Sequence, residues 1–170
     1  MWFNTNTVFL THGVATGGTE LNAFDNAMRA ARIADFNIIR VTSIVPPGVT
    51  TKLLKLDAPP IDGAGHMLPS VYETVITEKQ GDVISAGVAV GVPAANSKNS
   101  GVIFTFGGHC SDNYTESMLR RMIEEGMREM RLIVDYEFKC AIASTTCTGV
   151  PTCVFAAAPF CDSYLLPMFS

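Results

Sequence analysis

The sequence predicts an α+β domain in which helices pack on the outside of β-sheets. Most apolar segments are rich in β-formers and end at Gly- or Pro-containing turns, whereas only two stretches repeat their apolar residues at helical spacing. The chain has 170 residues, 48% of them apolar and only 16% charged. That length suits one domain, residues 1–170, with a sizeable core. With a mean hydropathy of +0.26, part of the surface is expected to meet other subunits.

Residues 6–14 form the first expected strand, closed by the turn-prone Thr16-Gly17-Gly18. A helix follows over 20–33, where Leu21, Phe24, Met28 and Ala31 recur at spacings of three and four. Residues 36–41 read as a second strand, and Pro46-Pro47-Gly48 is expected to stop regular structure at once. Further strands are expected over 68–77, 82–92 and 101–106. Ser111 suits the cap of a second helix running to about residue 131, with Glu116 in its first turns. Its apolar face carries Leu119, Met122, Ile123, Met127 and Met130, which reads as core. Strands over 137–146 and 151–159, around Thr148-Gly149, complete the chain. No repeat, linker or low-complexity block divides it.

Several function classes fall away. A net charge of −4 and a pI near 5.3 argue against nucleic acid, which needs a basic face. A membrane helix needs roughly 18 or more apolar residues in a row, and the best run, 86–95, is broken by Gly87, Gly91 and Pro93. Met1-Trp2-Phe3-Asn4 lacks the basic start of a secretion signal, so a cytoplasmic protein is expected. Five cysteines cannot all pair within one chain, and Cys140, Cys147, Cys153 and Cys161 contain no C-x-x-C pair. They read as free thiols. No metal is expected, since adjacent His109 and Cys110 lack ligand spacing.

The chain has no Gly-x-Ser-x-Gly elbow, phosphate loop, H-E-x-x-H or dinucleotide fingerprint. What stands out is Val41-Thr42-Ser43-Ile44-Val45-Pro46-Pro47, a hydroxyl pair where an apolar strand meets a rigid turn. A serine hydroxyl can attack the carbonyl just before it if the peptide is held in a strained geometry, and strand-to-turn junctions store such strain. A turn whose hydroxyls cap backbone groups is the other reading of these residues.

The surroundings decide between them. Leu21-Asn22-Ala23-Phe24-Asp25, then Asn37-Ile38-Ile39-Arg40 leading into the Thr42-Ser43 segment, resemble the pyruvoyl-dependent arginine decarboxylases. The likeness continues through Ile84-Ser85-Ala86 and Gly101-Val102-Ile103 to Cys153-Val154-Phe155-Ala156-Ala157-Ala158. This resemblance implies a four-layer αββα sandwich and a proenzyme that cuts itself between Thr42 and Ser43. The products would be a β chain, 1–42, and an α chain, 43–170, whose first residue becomes a pyruvoyl group. That ketone is an electron sink built into the protein, so no pyridoxal phosphate or nucleotide is needed. L-Arginine would lose CO2 and leave as agmatine.

Site roles follow from the same resemblance. Asn37 matches the residue that assists self-cleavage, by polarising the scissile carbonyl. Asp25 matches the carboxylate that holds the guanidinium, and Leu21, Ala34, Phe36 and Ile44 fall at positions lining that pocket, Phe36 being bulkier than expected. Family members form trimers with the active site between subunits, so a homotrimer or a dimer of trimers is expected.

One position departs from the pattern. Alignment on Gly101-Val102-Ile103 puts Thr105 where the family carries its proton-donating glutamate. A threonine hydroxyl is far too weak an acid for that task. The proton could come from Glu73, His12 or His109, or from water in a slower enzyme. A different amino acid or reaction, an uncut binding or regulatory relative, and a hydrolase keeping Ser43 as its N-terminal nucleophile are the other readings.

Overall fold

The computed structural model describes residues 5–57, 65–94, 98–130 and 135–161. Its elements, in chain order, are β1 (Thr7–Thr16), α1 (Glu20–Ala30), β2 (Asn37–Arg40), β3 (Ile44–Val45) and β4 (Thr50–Leu53). Then come β5 (Met67–Thr77), β6 (Val83–Pro93), β7 (Gly101–Gly108), α2 (Asp112–Glu129), β8 (Tyr136–Thr146) and β9 (Thr152–Cys161). The strands form a five-stranded sheet in the order β2-β5-β9-β1-β4 and a four-stranded sheet in the order β3-β7-β6-β8. An α+β fold is what the sequence predicts.

The two sheets face each other across a core built from alternate residues of each strand. Val8 and Leu10 of β1, Val71 of β5, Val154 and Ala156 of β9 meet Val88 and Val90 of β6 and Ile103 of β7 there. Helix α1 covers the other face of the five-stranded sheet, over Phe9, Leu68 and Phe155. Helix α2 covers the outer face of the four-stranded sheet, burying Leu119, Ile123 and Met127 against Ala89 and Val102.

Both helices are capped as their sequences demand. Thr19 accepts from the Asn22 N–H at 3.2 Å, and Ser111 accepts from the Tyr114 N–H at 3.3 Å. Helix α1 stops at Ala30, earlier than the expected 33, because Arg32 takes a left-handed backbone with φ 68°. Phe24, Met28 and Ala31 of the expected apolar stripe pack on the core beside buried Ala23 and Ala27, but Leu21 is 75% exposed. The cause is Gly13, where a Cβ would collide with the α1 backbone at Ala27 and Ala31. The helix therefore lies close on β1 through its small residues, and the larger Leu21 is turned outward.

Regular structure stops at Pro46-Pro47-Gly48, as expected. The short strand β3 ends there and β4 resumes at Thr50. The proposed end of α2 at residue 131 lies outside the described residues, as does the N-terminal stretch 1–4. No helix among the described residues is long and apolar enough to cross a membrane.

Phe155 anchors the α1 side. It is fully buried, with its ring centroid 5.7 Å from those of both Phe24 and Tyr72. Phe155→Ala is expected to destabilise the fold by about 3–5 kcal/mol, measured as a lower urea midpoint at unchanged slope. A loss under about 1 kcal/mol would mean the site collapses around the vacancy.

Candidate active site

Consecutive strands β2 and β3 sit at the edges of different sheets, so residues 41–43 carry the chain across the gap between them. Each side of the crossing is tied down. The Val41 N–H donates to the Ser70 carbonyl of β5 at 3.1 Å, and the Ile103 N–H of β7 donates to the Ser43 carbonyl at 2.7 Å. Thr42 is exposed and Ser43 half-buried between these anchors. The crossing borders a recess of about 260 Å³ lined by Thr5, Val41, Thr42, Ile44, Pro69 and Phe160.

The strain expected at this junction takes no left-handed form, since Arg32 is the one non-glycine with positive φ among the described residues. Fixing both ends of a three-residue bridge limits its motion instead, which is how positioning favours an intramolecular attack.

Thr105 of β7 points into the same gap. It pairs with Val88 of β6, whose side chain belongs to the core between the sheets. Its hydroxyl donates to Glu73 Oε2 at 3.3 Å. Glu73 reaches in from β5, between Val71 and Val75 on the strand face turned toward the four-stranded sheet. The other two candidate acids lie elsewhere. His12 of β1 lines a separate cavity of about 410 Å³ with Asp112, Asn113 and Glu116 of α2 and Ser144 of β8. His109 Nδ1 lies 3.2 Å from Asp82 Oδ2 on the surface.

The remaining predicted residues form a second group. Asp25 of α1 holds the Arg29 guanidinium at 3.0 Å and is half exposed. Leu21 is exposed on the same helix, and Ala34 follows in the α1–β2 connection. Phe36 is buried in the core beneath α1, 5% exposed, and so does not line an open pocket within one chain. Asn37 donates its side-chain amide to the Gly65 carbonyl at 2.7 Å. Thr42 is five positions further along the chain, a span of at most roughly 16 Å. Within one chain Ser43 is tied to Ile103, two residues before Thr105 on β7, and Thr105 meets Glu73, while Asp25 lies on the opposite face of the five-stranded sheet.

Comparison with known proteins shows the family. The family model for pyruvoyl-dependent arginine decarboxylase (PvlArgDC) matches residues 7–164. The chain belongs to the pyruvoyl-dependent arginine decarboxylase family. It is 33% identical to the pyruvoyl-dependent arginine decarboxylase of Thermococcus kodakarensis over 155 residues, 91% of this chain and 94% of the relative. The protein of that name from Pyrococcus horikoshii is 32% identical over 157 residues, 92% and 95% of the two chains. That from Methanocaldococcus jannaschii is 37% identical over 126 residues, 74% and 72% of the two.

The cofactor of a pyruvoyl-dependent decarboxylase comes from the chain itself, and the residues around Ser43 fit one. The Ser43 carbonyl is fixed by the Ile103 N–H, so a new chain end starting at 43 keeps its anchor. Thr42, on the leaving side, is exposed. The Thr105 hydroxyl and the Glu73 carboxyl supply polar groups in a gap otherwise walled by valine, isoleucine and alanine.

Reading the sequence singled out neither Arg40 nor Tyr72. Arg40 stacks 4.7 Å over the Tyr72 ring and donates to the Tyr72 carbonyl at 2.9 Å, pinning β2 to β5 just before the crossing. A cation followed two residues later by the hydroxyl pair was the available signal.

The cysteines are free among the described residues. Burial pushes the Cys161 thiol up to about 12, and Cys153 and Cys140 are raised for the same leading reason. They pack as protonated thiols, far from thiolate chemistry.

Burial also holds His12 below its ordinary value of 6.5. As pH falls through 6.5 the unfolded chain takes a proton that the folded chain refuses, so stability falls with pH. The loss ends once pH passes below the lowered folded value. His12→Gln is expected to flatten this part of the stability–pH curve, followed by thermal melts between about pH 7.5 and 5. An unchanged slope would place the responsible group elsewhere.

Proposed function

We propose that this chain is a self-cleaving decarboxylase that converts L-arginine to agmatine and CO2, using a pyruvoyl group made from Ser43. The observation that carries this is the Thr42–Ser43 peptide, tethered between two sheets by Ser70 and Ile103 in a member of this family. Ser43 Oγ attacks the Thr42 carbonyl carbon, and the peptide C–N bond breaks to give an ester and a free amine. Loss of the Ser43 α-proton expels the Thr42 carboxylate. Water then replaces the nitrogen, releasing ammonia and leaving a ketone at the head of residues 43–170.

The ketone supplies the electron sink that makes loss of CO2 from a bound amino acid accessible. The chain's own residues bind, orient and protonate. Asp25 has two oxygens to offer a planar guanidinium, and one of them already holds Arg29 at 3.0 Å. An exposed pair of this spacing is worth about 0.3–0.5 kcal/mol, so a substrate displaces Arg29 at little cost. Leu21 and Ile44 offer apolar surface for the arginine methylenes, 75% and 54% exposed. Ala34 follows in the α1–β2 connection, and Phe36 supports this surface from the core beneath α1.

The wide separation of Asp25 and Asn37 from Ser43 supports a site completed by a second copy. We place it in a homotrimer, or a dimer of trimers, in which Asn37 of a neighbour polarises the Thr42 carbonyl. Exposed Leu21, Ile39, Ile44 and Met67 give such an interface apolar area. Helix α1 outside one sheet and α2 outside the other support the four-layer αββα sandwich, with residues 1–170 as one domain. Free cysteines support a cytoplasmic setting.

The test of substrate is carboxyl-labelled arginine given to the cleaved protein. CO2 and agmatine are expected in equal amounts, with lysine, which lacks the fork, turned over at least about tenfold more slowly. Inert arginine beside another amino acid that releases CO2 would overturn the substrate and leave the reaction class standing.

A further inference from the structure

We infer that Glu73 is the acid that protonates the substrate's α-carbon, a catalytic carboxyl that β5 supplies in place of the one missing from β7. The inference rests on the decarboxylase reading above. Three observations place the group. The first is direct contact: the Thr105 hydroxyl donates to Glu73 Oε2 at 3.3 Å, and Thr105 stands where the family's glutamate is expected. A carboxyl therefore arrives beside that position, from the opposite sheet.

The second is space. Gly107 lies two residues beyond Thr105 on the same strand face, and a Cβ there would come within 2.8 Å of Glu73 Cγ and 2.9 Å of Val75 Cγ2. Any side chain at 107 would push Glu73 aside, so the missing Cβ is what admits it. The third is the path to Ser43, which runs along both anchoring strands. On β7, Ile103 holds the Ser43 carbonyl, and Thr105 is one pleat repeat further, roughly 7 Å. On β5, Ser70 holds Val41, and Glu73 is three residues on.

Packing alone gives no reason for this residue. A carboxylate set between Val71 and Val75 on an interior strand face costs solvation that a third valine would not. Among the described residues its partners are two single donors, the Thr105 hydroxyl and the Thr74 N–H at 3.1 Å, with no cation within ion-pair distance.

The step balances simply. When the bond to CO2 breaks, its electron pair remains with the substrate, and the Glu73 carboxyl transfers its proton to the α-carbon. Glu73 is left as carboxylate and regains a proton from water before the next turn. Thr105 acts as a positioning residue: its hydroxyl donates to the carboxylate and can accept from the carboxyl, so it orients Glu73 in both states.

Four chains test this: Glu73→Gln, Glu73→Gly, Thr105→Val, and the exchange Glu73→Gly with Thr105→Glu. Intact mass is expected to give the two fragments of the wild type in all of them, because protonation comes after self-cleavage. Turnover should fall by about 10² to 10⁴ in Glu73→Gln and Glu73→Gly, and the exchange should restore it by returning the carboxyl to β7. A readout independent of turnover uses the uncut Ser43→Ala chain with carbon-13 glutamate. There the Glu73 carboxyl resonance should shift once Thr105→Val removes its hydroxyl donor.

Cleaved Glu73→Gln with wild-type turnover would overturn the inference. So would an uncut Glu73→Gln chain, which would assign Glu73 to processing, or an exchange variant that is cut and stays inactive. An uncut wild-type chain would instead remove the decarboxylase reading itself, so the two failures are distinguishable.

Discussion

Ser43→Ala is expected to yield a folded, uncut chain with no measurable release of CO2 from arginine. The loss is total because alanine removes both the nucleophile and the atoms from which the ketone is made. No neighbouring hydroxyl can substitute: Thr42 is exposed on the leaving side of the same bond, and Thr105 is roughly a pleat repeat from the anchored Ser43 carbonyl. Stability should be nearly unchanged, since a half-buried serine gives up only its hydroxyl. Denaturing electrophoresis and a thermal melt check both halves of the expectation. A cut Ser43→Ala chain would show that another bond breaks, and a collapsed melt would make the missing activity uninformative.

Asp25→Ala is expected to spare cleavage and damage the use of arginine. Two hydrogen bonds to a charged guanidinium, at about 1.5 kcal/mol each, correspond to a drop of roughly 10² in kcat/KM. Cleavage is spared because Asp25 holds the guanidinium of the substrate and takes no part in the attack of Ser43 on the Thr42 carbonyl. The fold should tolerate the change, since among the described residues the carboxylate pairs with exposed Arg29 alone. Asp25→Glu should retain part of the activity by keeping both oxygens at a longer reach. Unchanged kcat/KM in Asp25→Ala would put the guanidinium on another group.

Much of this architecture was legible because it rests on periodicity. Both helices begin at a side-chain cap, Thr19 or Ser111, that leads into a repeating apolar face. The long strands are bounded by glycine and proline as expected. The short β3 and β4 were not legible, since two and four residues are too few to display a period of two. Only Leu21 of the expected α1 stripe was misplaced, because bulk marks a core position only when the helix stands off its sheet. At Gly13 the backbones nearly touch, and alanines become the buried residues.

At the site, the hydroxyl pair and its proline turn were visible in the chain, and so was the absent acid. Which of three titratable residues faces Thr105 depends on β5 and β7 lying opposite each other in different sheets, a relation between segments about thirty residues apart. One local signal did exist. Val71-Tyr72-Glu73-Thr74-Val75 sets a carboxylate on the face its two valines mark as interior. A charge breaking an apolar alternation is uneconomical for packing alone and points to use.

The most direct measurement is the intact mass of the purified wild-type protein under denaturing conditions. Two chains are expected, residues 1–42 with a free carboxyl terminus and residues 43–170 lighter by one ammonia than a chain beginning with serine. A single species at the mass of all 170 residues would contradict the central claim, because without that break there is no ketone and no decarboxylase.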